Sequence, residues 1–246
     1  MPLQIVTTQR LYRQIADQIG ELIAKGEYAP GARLPSERDL AQQLGVSRAS
    51  VREALIALEI DGLIDIRVGM GVFVTPKRLM PANTSLIADP GPFEVIAARQ
   101  LIECETAAMA ARNATTADHA RIEETLAMME EEFSARSTAL DADCLFHVRI
   151  AEACANSALA HVVQQLWNFR YSSMFRKIDE HFDNPQRHAE AIEEHRGIVD
   201  AIIRRDADAA RAAMHEHLEH VKLSLERNWD QANPNAETSL RGAAYS

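Results

Sequence analysis

The hydrophobic period of this chain changes once, near residue 62, and that switch restricts what the first third can become. From Gln9 to Lys25 the apolar residues Leu11, Ile15, Ile19, Leu22 and Ile23 recur at one-turn helical spacing, and Gly26 stands where a C-terminal cap belongs. A connection rich in Pro and Gly, Tyr28 to Pro35, leads to Ser36-Glu-Arg-Asp39, an N-cap with an acidic residue three positions on, and a second helix through Leu44. Gly45 supplies a tight turn, Ser47 the next cap, and Val51, Leu55 and Leu58 the stripe of a third helix closed by Gly62. Beyond it the period is two. Ile64, Ile66 and Val68 alternate with Asp65 and Arg67, Gly69-Met-Gly71 turns the chain, and Val72 and Val74 flank Phe73.

After this hairpin only helical periods occur, at about 93–111, 116–135, 140–155, 158–180, 186–204 and 207–228. Thr115-Thr-Ala-Asp118 caps the second of these, whose stripe is Ile122, Leu126, Met129 and Phe133. The expected architecture is mainly α: a winged helix-turn-helix in residues 1–76, a linker over 77–92 containing Pro81, Pro90 and Gly91, an all-α antiparallel bundle over 93–230, and a polar tail over 231–246. The 246 residues suffice for two domains. No apolar run reaches the length of a membrane span and the first residues lack a signal-peptide pattern, so a cytoplasmic protein without a membrane partner is expected. Cys104, Cys144 and Cys154 are odd in number and form no CxxC, which argues against a disulfide framework.

The net charge of −10 suits a nucleic-acid binder poorly until it is divided along the chain. Residues 1–78 hold ten Lys/Arg against nine Asp/Glu, leaving sixteen against twenty-seven in the remainder. A near-neutral first part can bind DNA if its arginines cluster, because phosphate contact depends on local charge. Two helices joined at Gly45-Val46 fit the geometry in which the second enters the major groove. Arg48 and Arg52, four residues apart, are expected to project from one face of that helix, away from its stripe. A guanidinium fork there can bond guanine O6 and N7 together. A three-helix packing unit with solvated arginines also meets this spacing, and the hairpin weighs against it. Arg33 and Arg67 are placed for phosphate contact by charge and position.

All nine histidines lie in the second part. His217 sits in the stripe Ala210, Met214, Val221, Leu225, and His195 in the stripe Ile192, Ile198, Val199, Ile202. Asp143 and His147 share a face with Ile150, Ala151 and Cys154. An aspartate and three histidines on core-facing stripes are costly unless they satisfy one another or bind something. As a set they suit a divalent ion, zinc first, nickel or manganese as alternatives; singly, each also suits a satisfied core role. The other six histidines, His220 among them, are read as surface or secondary features. Arg99, on the stripe Val95, Ile102, Thr106, Met109, could hold a carboxylate or form a structural ion pair.

Leu34-Pro-Ser-Glu-Arg-Asp-Leu-Ala41, Leu44-Gly-Val-Ser-Arg48, Val51-Arg-Glu-Ala-Leu55 and Leu58-Glu-Ile-Asp-Gly-Leu63 resemble the signature of the GntR family of bacterial transcription regulators. The resemblance implies that Arg38, Arg48 and Arg52 contact double-stranded operator DNA, with Ser47 beside them, and that Gly69 approaches the minor groove. Asp143-Cys-Leu-Phe-His147, Ala151-Glu-Ala-Cys-Ala-Asn156, Glu194-His195 and His217-Leu218 resemble the all-helical FadR-type effector domain called FCD, which implies that Asp143, His147, His195 and His217 hold a metal and that a small carboxylic acid binds there. Segments around Phe93, Arg99, Trp167, Arg170 and His217 are most similar to repressors of hexuronate catabolism, which places Arg99, Trp167 and Arg170 as candidate effector contacts; a core tryptophan and a surface arginine are the simpler roles of the last two. A homodimer on a near-palindrome is expected, since one short helix reads too few bases. A metal-dependent enzyme fused to a DNA-binding part is the competing class. It is disfavoured because no further nucleophile or carboxylate pair falls near the cluster. A purely structural metal, or another organic acid as effector, are the remaining alternatives.

Overall fold

The computed structural model describes residues 10–67, 69–76, 89–135, 141–182 and 185–232. Val68, Pro81 with most of the expected linker, Leu140 and the tail from residue 233 lie outside the described residues. The elements are α1 (Leu11–Lys25), α2 (Glu37–Leu44), α3 (Arg48–Ile60), β1 (Ile64–Arg67), β2 (Gly71–Val74), α4 (Pro92–Asn113), α5 (Thr116–Ser134), α6 (Asp141–Ala153), α7 (Ser157–Asn168), a 3-10 turn (Phe169–Tyr171), α8 (Ser173–Phe182), α9 (Pro185–Ile203) and α10 (Ala207–Ala232). No described helix is long and apolar enough to cross a membrane. The chain groups into two units, one of residues through Pro92 with Ser172–Phe182 and the chain from Glu226, the other of Phe93–Tyr171 with Asp183–Leu225.

In the first unit the caps fall where the sequence places them. Ser36 accepts from the Asp39 amide and Ser47 from that of Ser50, while Gly26 and Gly45 take left-handed φ values of 82° and 66°. The wing is antiparallel, with Ile64 opposite Val74 and Ile66 opposite Val72, so Ile64, Ile66, Val72 and Val74 are buried together. The connection before α2 extends it: Gly31 N donates to Val74 O, Val74 N to Ala32 O and Leu34 N to Val72 O, and Arg33 bridges Phe73. Helix α3 is buried from Val51 through Leu58 instead of along one stripe, because α1, α2, β1 and α8 all pack on it. The last described residues of the linker are docked, since Tyr12 donates to Asp89 O and a Cβ on Gly91 would lie 2.3 Å from Glu53 Oε1.

The second unit packs α5 on α6 and α9, and α6 on α7. Its core joins Ala107, Ala110 and Ala111 of α4 to Ile122, Met129, Phe146, Ile150, Ile198, Ile202, Met214 and Leu218. The alanines let helix axes approach closely. Phe133, expected in the α5 stripe, is exposed instead. Thr115 and Asp118 form a full capping box. Arg205, at φ 59° after α9, donates to Arg112 O and Ala114 O and so satisfies carbonyls at the end of α4.

The single helix expected over 158–180 is two helices separated by the 3-10 turn. Val163, Trp167, Met174 and Ile178 stay in helical phase across the break, which hides it from periodicity. Val163 and Trp167 are buried in the second unit, whereas Met174, Phe175 and Ile178 are buried in the first. Ser172 restarts the chain as a cap, accepting from Phe175 N.

Candidate nucleic-acid interface and metal centre

Arg38, Ser47, Arg48, Arg67 and Gly69 are exposed on the first unit. Arg67 stacks its guanidinium 4.7 Å above the Phe73 ring and pairs with Asp65 at 2.7 Å. Arg33 lies over Gly71, where a Cβ would come 2.5 Å from its Nε; with φ 114° as well, that position demands glycine. Ser47 caps α3 and its hydroxyl meets that of Ser50.

Arg52 departs from expectation. It does not project outward with Arg48 but is buried at 3% exposure, its Nε 2.6 Å from Glu37 Oε2, while Arg48, nearly half exposed, takes Glu37 Oε1. The reason is geometric: α2 crosses that face of α3 and brings Glu37, itself buried, between the two guanidinium groups. Arg52 therefore fastens α2 to α3, and Arg48 is the arginine left facing outward.

In the second unit the four residues expected to converge do so. Asp143 and His147 of α6, His195 of α9 and His217 of α10 each offer one ligand atom, all within 4.8 Å of one another. The inward atoms are Asp143 Oδ1 and the three Nε2. His195 Nε2 lies 3.2 Å from His217 Nε2 and 3.4 Å from Asp143 Oδ1, and His147 Nε2 is 3.5 Å from the same oxygen. Donors held tetrahedrally about zinc at 2.0–2.1 Å stand about 3.3 Å apart, so these separations fit a divalent ion. Asp143 Oδ1 and His147 Nε2 are buried with no hydrogen-bond partner among the described residues, an arrangement a cation would satisfy.

The charge states favour the same ligand set. Burial would raise the Asp143 carboxyl, but His147, His195 and His217 hold it well below the usual range. Burial pushes His195 far down, His217 adding to it, and burial also lowers His217. His147 is the exception: burial would lower it, yet Glu103 raises it. An ionised carboxylate facing neutral His195 and His217 suits a cation, and His147 must give up its Nε2 proton to join them.

A second layer surrounds these atoms, and much of it was not singled out from the sequence. Glu103, 1% exposed, lies 2.6 Å from His147 Nδ1. Glu103 also accepts from Arg99 Nε at 2.7 Å and Trp167 Nε1 at 3.2 Å. Burial opposes its ionisation, and Arg99 with His147 overrides that, bringing it down to about 2. Arg99 stacks 4.0 Å over the Trp167 ring, and that ring lies 4.9 Å from His147. Arg99 thus realises the ion-pair alternative in this state, and Trp167 is buried beside the metal group. Arg170 is half-buried on the 3-10 turn. On the other side Glu194 accepts from His217 Nδ1 and His220 Nδ1, each at 2.8 Å. The i, i+4 pair Arg99/Glu103 and the Glu194-His195 step were the available signals.

Comparison with known proteins agrees with both halves. Residues 11–74 match the family model "Bacterial regulatory proteins, gntR family" and residues 94–220 that of the FCD domain. The "Uxu operon transcriptional regulator" of Escherichia coli (strain K12) is 39% identical over 226 residues, covering 89% of this chain and 88% of that protein. The "Exu regulon transcriptional regulator" of the same organism is 36% identical, covering 91% and 87%. The solved structure of E. coli McbR/YncC aligns with a TM-score of 0.51 at 22% identity, covering 90% of this chain and 100% of that one, a likeness of fold alone.

Proposed function

The chain belongs to the gntR family of bacterial regulatory proteins, with an FCD domain in its second part, and from that premise we propose a repressor released or engaged by a hexuronate. It is a DNA-binding transcription regulator and not an enzyme. On this reading residues 1–76 bind the operator, 77–92 link, 93–230 sense the effector and dimerise, and 231–246 form a tail, in a cytoplasmic homodimer. Arg38, Ser47, Arg48, Gly69 and the flanking Arg33 and Arg67 face DNA, while Arg52 braces them.

The observation that carries the sensing half is the convergence of Asp143 Oδ1 and three Nε2 atoms with unsatisfied buried polarity between them. A divalent ion bound there, zinc first, supplies Lewis-acid attraction for a carboxylate and its neighbouring hydroxyl. Asp143, His147, His195 and His217 would hold it. Arg99, already committed to Glu103, must share its guanidinium or exchange partners to meet an acid, and this favours the structural-metal alternative to the extent that it fails to do so. Trp167 and Arg170 are secondary candidates for the same pocket.

Any effector shifts operator affinity only by binding the DNA-competent and DNA-incompetent arrangements unequally. The test is a thermal-shift screen of hexuronates and related acids against zinc-loaded protein, followed by operator titration with each hit. A hexuronate that raises the unfolding midpoint and changes operator affinity supports the reading. If it does neither, hexuronate is not the effector; if zinc uptake is also absent, the metal site falls with it.

A further inference from the structure

We infer that Glu194 is the positioning residue that fixes His217 as a ligand, and that Arg187 holds Glu194 in place behind it; this rests on the metal reading above. An imidazole can bind a cation through Nε2 only if its proton sits on Nδ1, and the partner of Nδ1 decides that. His217 Nε2 faces the inward group and Nδ1 lies 2.8 Å from Glu194 Oε2, an acceptor that keeps the proton on Nδ1. Glu194 is itself fixed, since Arg187 Nη1 and Nη2 meet its two oxygens at 2.6 Å each in a bidentate pair. His220 Nδ1 adds a third donor at 2.8 Å. Arg187 and Glu194 are two turns apart on α9, and His217 and His220 one turn apart on α10, so one carboxylate joins the two helices directly behind a ligand.

The three histidines are backed unequally. His195 Nδ1 is buried without a partner among the described residues. His147 Nδ1 faces Glu103, sealed in with Arg99 and Trp167, so removing Glu103 would strand a buried guanidinium. The Glu194 side instead opens into a cleft of about 320 Å³ that Glu193, Glu216 and His220 also line. Substitution at Glu194 therefore exposes partners to water instead of stranding them, which makes the idea testable.

The experiment uses full-length protein: zinc affinity by chelator competition, and ring ¹⁵N shifts of His217 in the metal-free state, for wild type, Glu194→Ala, Glu194→Gln and the cleft control Glu193→Gln. Loss of a carboxylate behind a ligating histidine lowers metal affinity by about 10- to 100-fold. That loss is expected for Glu194→Ala, a smaller one for Glu194→Gln, whose amide oxygen still accepts, and none for Glu193→Gln. The wild-type ¹⁵N pattern should show the proton on Nδ1, and Glu194→Ala should lose that preference. Wild-type zinc affinity with an unchanged ¹⁵N pattern in Glu194→Ala overturns the inference; if that variant does not fold, Glu194→Gln decides by affinity alone, since its amide oxygen keeps the Nδ1 proton in place, and wild-type zinc affinity there overturns it. If wild type binds no zinc, the metal reading fails, while the metal-free ¹⁵N comparison still decides whether Glu194 sets the tautomer.

Discussion

Arg48 and Arg52 carry the same charge on the same helix and share one partner, Glu37, yet they do different work because only one is reachable by solvent. Arg48→Ala should weaken operator binding by about 1–3 kcal/mol, the range of a bidentate base contact, and leave the unfolding midpoint nearly unchanged. Arg52→Ala should lower stability by about 1–3 kcal/mol, because a charge-assisted hydrogen bond to a buried carboxylate is lost. Operator titration and thermal unfolding of both variants separate the roles; an Arg52→Ala protein of full stability with lost operator affinity would return that residue to base reading. Among the metal residues, His195→Ala should abolish metal retention and effector response while keeping operator binding, as read by mass spectrometry of the native protein and by titration with and without hexuronate. A normal response in that variant ends metal-assisted sensing.

Elements show where local rules are overridden. Helix α3 is set by its Ser47 cap and its apolar stripe, but its full burial depends on α8, a helix more than a hundred residues later in the chain. Met174, Phe175 and Ile178 bury their side chains there, and Lys177 lies 4.0 Å from Glu59. Truncating a buried Phe costs about 3–5 kcal/mol, so Phe175→Ala should markedly lower the stability of the DNA-binding unit, with amide exchange in α3 accelerated. Exchange in α3 as slow as in the parent protein would mean that α8 does not support it. Helices α6, α9 and α10 meet at the four ligand residues, so saturating metal should stabilise them together. At a hundredfold excess over the dissociation constant the gain is about 2.7 kcal/mol, visible as a midpoint that falls on chelation. A midpoint insensitive to chelator would show that no ion links these helices.

Across the whole molecule the charge is unevenly distributed, with the acidic excess beyond residue 78 and the exposed Arg33, Arg38, Arg48 and Arg67 in the near-balanced part before it. Binding through phosphates releases counterions, so operator affinity should fall steeply with salt, log K declining by about 0.9 per neutralised phosphate for each unit of log salt. Light scattering should give a dimer, and a single half-site should bind far more weakly than the two-fold operator. A monomer holding one half-site at operator-level affinity would contradict the symmetric reading.

Local chemistry made much of this protein legible from its sequence. Caps at Ser36, Ser47 and Thr115, the turn glycines Gly26 and Gly45, and the switch of period at the wing act over a few residues, and each appears in the structure where the sequence puts it. The convergence of Asp143, His147, His195 and His217 was also readable, because polar residues on apolar stripes must meet in the core. Only tertiary structure decided the rest. Periodicity reports that a face is buried but not against what, so it could not split α7 from α8 or enclose α3. Spacing places a side chain on a helix but not opposite another helix, so it could not show Arg52 turned into Glu37, Arg99 taken by Glu103, or Glu194 standing behind His217.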